Sequence, residues 1–145
     1  MIIQIAAAMM GTIAFSVLFG VPAVYYFYCG LIGCAGWGVY LAASAGLGAA
    51  TSALIATMVV IFLSRLAAVW KHCPVTIFLI AGIFPLVPGA GVYWTAYYIV
   101  TDQLWPAVET GYAAVKTAVA IVLGIVFIFE IPQGLFLALC GHRRK

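Results

Sequence analysis

Long apolar runs dominate the hydrophobic pattern of this chain. Residues 2–19, 27–43, 49–63, 75–101 and 112–139 each hold few charged side chains and no sustained period-two alternation. Runs of this length, apolar on every side, read as membrane-spanning helices; a surface helix of a soluble protein shows one apolar stripe. The polar interruptions are short. GVP at residues 20–22 ends the first run, because Pro22 cannot continue a helix. Ser44–Gly48 forms a turn, SRLAAVWKHCP at residues 64–74 reads as a basic loop, and residues 102–111 form another loop. The predicted fold is all-α: one polytopic integral membrane domain over residues 1–145, with about five transmembrane helices.

Composition supports a bilayer as the solvent. Of 145 residues, 68% are hydrophobic and 6% charged, against about 25% charged in a soluble domain. Mean hydropathy is +1.26. The first run lacks the basic leader segment of a signal peptide and reads as a retained span. The net charge of +3 comes from few residues, which suit topology determinants and not nucleic-acid binding. Arg65, Lys71 and the Arg143–Lys145 tail should lie in the cytoplasm, with the N-terminus outside and the C-terminus inside. Tyr25, Tyr26 and Tyr28 suit a membrane interface.

The fourth run is interrupted by FPLVPGAGVYWTAYY at residues 84–98. Pro85 and Pro88 remove backbone donors, and Gly89 and Gly91 leave bare backbone. Such backbone is tolerated at membrane depth only where protein or a water-filled cavity satisfies it. A helix restarting after Pro88 would present free N–H groups near the midplane, a device that secondary transporters use to hold anionic solutes. Pro85, Pro88, Gly89, Gly91 and Tyr93 are therefore candidate substrate-binding residues. A packed proline kink is the competing reading, and Trp94, Tyr97 and Tyr98 suit an outer aromatic belt.

Other features have narrower readings. In the second run, Gly30, Gly33, Gly36 and Gly38 favour close helix packing, with Gly30, Cys34 and Gly38 on one face. Lys116 and Glu130 lie in the last run, about 21 Å apart along one helix. Glu130 is a candidate proton-coupling group if it is desolvated, or an interfacial carboxylate if it is not. His72 reads as a solvated loop histidine. Four cysteines occur without CxxC or metal-ligand spacing, and no hydrolase or nucleotide-binding motif is present. No enzyme activity, metal or cofactor is expected.

The order of these features resembles the threonine/serine exporter family, and within it the small membrane subunit of two-component members. The matching residues are Gly33, Gly36 and Gly38 in GCAGWG, Ser64 and Arg65, Pro85, Pro88, Gly89 and Tyr93 in PLVPGAGVY, and Pro132. The resemblance implies proton-motive export of small hydrophilic metabolites such as threonine, serine or a dicarboxylate such as succinate. It further implies a larger partner subunit corresponding to the N-terminal half of fused members, and leaves a higher oligomer open. Glu130 and Lys116 have no counterpart in the family pattern. A scaffold that supports the partner without touching substrate, and a homo-oligomeric channel, are the alternatives.

Overall fold

The computed structural model describes residues 2–139, and all of their regular structure is helical. The helices are α1 (Ile2–Leu18), α2 (Tyr26–Ser44), α3 (Ala49–Lys71), α4 (Thr76–Ile83), α5 (Gly89–Val100), α6 (Leu104–Phe129) and α7 (Gln133–Leu139). Short 3-10 turns occupy Ala23–Tyr25 and Phe84–Leu86. The expected basic tail, with Cys140 and Arg143–Lys145, lies outside the described residues.

Among the described residues, three helical segments are long and apolar enough to cross a membrane: Ala23–Ser44, Ala49–Lys71 and Leu104–Phe129. The pair Thr76–Leu86 and Gly89–Val100, bent by 51°, makes a fourth when taken as one broken span. The expected count of five depends on α1, whose 17 residues reach about 26 Å.

Backbone chemistry explains the ends. Gly20 takes a left-handed conformation at φ 67° before Pro22, a conformation that glycine adopts without a Cβ penalty. His72 caps α3 in the same region, and its N–H bonds the carbonyl of Ala68. Asp102, at φ 55°, closes the α5–α6 turn, where Gln103 N–H donates to the Tyr98 carbonyl at 2.8 Å. Two expected loops prove largely helical. α3 continues through 64–71 because no glycine or proline stops it before Pro74. α6 starts at Leu104, since Pro106 sits in its first turn, where backbone N–H groups lack helical partners anyway. The last expected span, 112–139, is in turn divided between α6 and α7, with Pro132 between them.

α2 and α3 form the centre, with α1 and α4 against them. Small residues set the spacing. A Cβ on Gly30 would stand 2.9 Å from Ile13 of α1, one on Gly33 would collide with Thr12, and one on Gly36 would collide with Val60 of α3. Gly38 is looser, 4.0 Å from Ile5 at its nearest. Thr12 and Ser16 are fully buried here because each hydroxyl bonds its own helix, to the carbonyls of Ala8 and Thr12 at 2.8 Å. α3 and α6 run parallel, with Gly124 against Leu54 and Thr57, and Arg65 beside Ile128 and Ile131. α5 returns antiparallel along the first half of α6, where Thr95 donates to Thr110 at 3.1 Å.

Replacing Gly33 with Ala should force α1 away from α2 and lower stability by about 1–3 kcal/mol. Adding Thr12→Ala should restore part of that loss by removing the colliding side-chain atoms. Thermal unfolding of the purified protein in detergent checks both.

Candidate functional site

The broken span lies deep in the bundle. Leu86 is buried beside Gly36 and Val60, which are central residues of α2 and α3, and Phe84 stacks on Phe15 at 3.6 Å. Beyond Pro88 the chain turns outward. Gly89 N–H bonds the Val87 carbonyl at 2.7 Å, and Val92 N–H bonds that of Pro88 at 3.1 Å. A Cβ at Gly89 would meet nothing within 4 Å, whereas one at Gly91 would press on Ala114 at 3.1 Å. Tyr93 is 63% exposed on the bundle surface, stacked edge-on with Trp94. The five candidate residues thus run from the 3-10 turn at Phe84–Leu86 into the first turns of α5.

A cavity of about 650 Å³ opens at the basic end of the bundle. It lies between the end of α3, the 72–75 loop, the end of α6 and the start of α7, and its polar lining comes from Arg65, His72, Cys73, Glu130 and Gln133. None of residues 85–93 reaches it.

Arg65 organises this end. It was expected in a loop but is 7% exposed, inside α3. Its Nη1 donates to the carbonyls of Ile128 and Ile131 at 2.5 and 2.8 Å. The last carbonyls of a helix lack helical donors and carry the negative end of its dipole, so a cation is well placed there. The guanidinium also lies 4.2 Å over the Phe136 ring and 5.6 Å from that of Phe129. Phe136 is fully buried and packs against Phe62. One side chain therefore joins α3, the end of α6 and the start of α7. The sequence signal for this is spacing: Arg65 follows Ala53, Thr57 and Ile61 at steps of four, all buried.

Glu130, the candidate proton carrier, occurs at the C-cap of α6 and is exposed. It lines the same cavity as Arg65. Lys116 is exposed on α6. Lys71 lies over the rings of Tyr28 and Trp70 at 4.4 and 4.5 Å, which lets its stem cover apolar surface while the ammonium meets the ring faces. Among the described residues, no three His, Cys, Asp or Glu side chains come together in a metal-binding group.

Cys73 gives the cavity a reporter. Burial pushes its thiol above the ordinary value of 9.0, partly offset by the Tyr25 hydroxyl and the Lys71 charge. The thiolate is the reactive form. In a variant lacking the other cysteines, Cys73 should therefore react with maleimide more slowly than free cysteine at neutral pH, and its rate should keep rising above pH 9. A rate–pH titration checks this. Arg65→Ala should strip two carbonyls of their charged donor and cost about 2 kcal/mol. Amide exchange should then quicken in residues 130–136 and stay unchanged in α4.

No curated protein and no solved structure matches this chain. A family described as Threonine/Serine exporter, ThrE, matches it over residues 4–131, nearly its whole length. That family is one of membrane-embedded transporters and not of enzymes. With its apolar helices, its broken fourth span and this match, the chain belongs to the threonine/serine exporter family.

Proposed function

We propose that this chain is the small membrane subunit of a two-component secondary exporter. It releases small hydrophilic metabolites, threonine and serine or a dicarboxylate such as succinate, at the expense of the proton motive force. The observation that carries the reading is a cavity with several polar lining residues beside a buried cation, at one end of an otherwise apolar bundle in a chain of this transporter family.

The protein sits in the cell membrane with its N-terminus outside and its basic end in the cytoplasm, following Lys71 and the tail residues Arg143–Lys145. Solute enters from that end. The path continues along α4, about 12 Å from the cavity edge at Val75 to the break. There the backbone of Pro85, Pro88, Gly89 and Gly91 and the Tyr93 hydroxyl receive it. Glu130, open to the cavity, takes up and releases the coupling proton. A larger partner completes the path. α5 has no buried residue, and Val92, Tyr93, Tyr97 and Val100 stand clear of the bundle, which leaves an apolar face for the partner and lipid to cover.

A scaffold that contacts only its partner is the competing reading, and the packing of Gly91 on Ala114 favours it for that residue. Gly89 separates the two, since a Cβ there would meet no atom of the described residues within 4 Å beyond its own chain neighbours and helix backbone. Efflux of labelled serine, threonine and succinate is measured in vesicles holding this chain with the partner, wild type or Gly89→Leu. The exporter reading expects the variant pair to co-purify in full while efflux falls about tenfold or more. Unchanged efflux would make the break a packing kink.

A further inference from the structure

The Arg65 guanidinium has two kinds of donor. Both bonds to backbone, to Ile128 and Ile131, come from Nη1. An arginine carries five N–H groups, so the Nε and Nη2 edge has three more, with no acceptor among the described residues. No carboxylate of the described residues pairs with Arg65; its remaining close neighbours are the aromatic rings of Phe129 and Phe136. A charge this buried at the edge of a membrane protein ordinarily faces a partner or a solute path. Arg65 borders the cavity, and the free edge is the side-on fork that matches the two oxygens of a carboxylate.

The rest of the lining narrows the ligand. Among the described residues, Arg65 is the lone permanent cation of the cavity lining and Glu130 its lone carboxylate. Lys71 borders no part of it, being held over Tyr28 and Trp70. A zwitterion meets opposite charge at both of its ends in such a site. A dicarboxylate meets repulsion from Glu130, and a phosphate dianion finds one guanidinium edge and no second permanent cation among the described residues. Phe129, Ile131 and Val69 form apolar walls beside the pair, and a lower local dielectric strengthens it.

We infer that Arg65 binds the carboxylate of a zwitterionic amino acid, side-on through Nε and Nη2, in the cavity at the basic end. This rests on the exporter reading for the identity of the solute, but not for the carboxylate chemistry. Arg65 thereby does two things at once. Nη1 holds the end of α6 and the start of α7, and the opposite edge holds solute, so occupancy is felt directly at the α6–α7 junction.

Two measurements on the complex of this chain with its partner test the inference. The first follows phenylglyoxal modification of Arg65 by mass spectrometry, with L-serine, serinol or acetate present. Serine should suppress the modification, acetate should do so at higher concentration, and serinol, which lacks the carboxylate, should not. The second compares serine transport by wild type and Arg65→Lys. Lysine still donates to the Ile128 and Ile131 carbonyls but has no fork, so the half-saturating concentration should rise about tenfold or more, with the complex still assembled. Equal protection by serine and serinol, or an unchanged half-saturation in Arg65→Lys, would overturn the assignment. Protection by serine in a wild-type complex that transports no amino acid would sink the exporter reading and leave the carboxylate site standing. Transport without protection would sink the site alone.

Discussion

The contact on which the basic end depends is the one between the Arg65 guanidinium and the carbonyls of Ile128 and Ile131. A helix that ends inside an apolar bundle leaves carbonyls without donors. Here α6 ends near a proline that cannot supply one, since Pro132 has no N–H. Arg65 reaches across from α3 and gives a charged donor to the Ile128 carbonyl, which also accepts from the Ile131 N–H, and to the Ile131 carbonyl just beyond the helix. The same helix end, with its partial negative charge, makes burial of the cation tolerable. Each group answers the other's desolvation, and the joint fixes where α7 begins and which side chains surround the cavity.

The remaining architecture brings that joint to one end of a tightly built core. α1, α2 and α3 approach closely at Gly30, Gly33 and Gly36, and dispersion packing of this sort is what holds helices together where lipid is as apolar as the side chains. α4 fills the space beside α2 and α3 with Phe78 and Ala81, both fully buried. The broken span then leaves this core, bending by 51° toward α6. The rigid part and the outward-leaning part meet at residues 84–89, which is where a two-state transporter would place a hinge.

Much of this was legible in the sequence. The helical class followed from the apolar runs, and the interruption of the fourth span followed from PLVPGAG. The resemblance to the family rested on short motifs and agrees with the match over residues 4–131. Arg65 departs from the loop expectation for a physical reason: arginine in a short basic stretch ordinarily marks a loop, and polarity alone puts the end of the third run at Leu63. Nothing in 64–71 breaks a helix, and the four-residue spacing from Ala53 carries Arg65 onto the buried face. The sequence leaves Glu130 open between a desolvated and an interfacial carboxylate, because its surroundings depend on where α6 ends, and Pro132 lies just beyond that end. The position of a helix end along the membrane depends on the neighbour that caps it, and here that neighbour is distant in sequence.

The cavity at the basic end lies behind the glycine-packed core and should be reachable from that side alone. Accessibility of introduced cysteines to a membrane-impermeant thiol reagent tests it most directly, using a background without native cysteines, in vesicles of both orientations. Cysteines at Val69, Phe129 and Gln133 should react with reagent from the C-terminal side alone, and those at Ala53 and Ala56 from neither side. Reaction at Val69 and Phe129 from the opposite side, or at Ala56 from either, would contradict a cavity closed by that core.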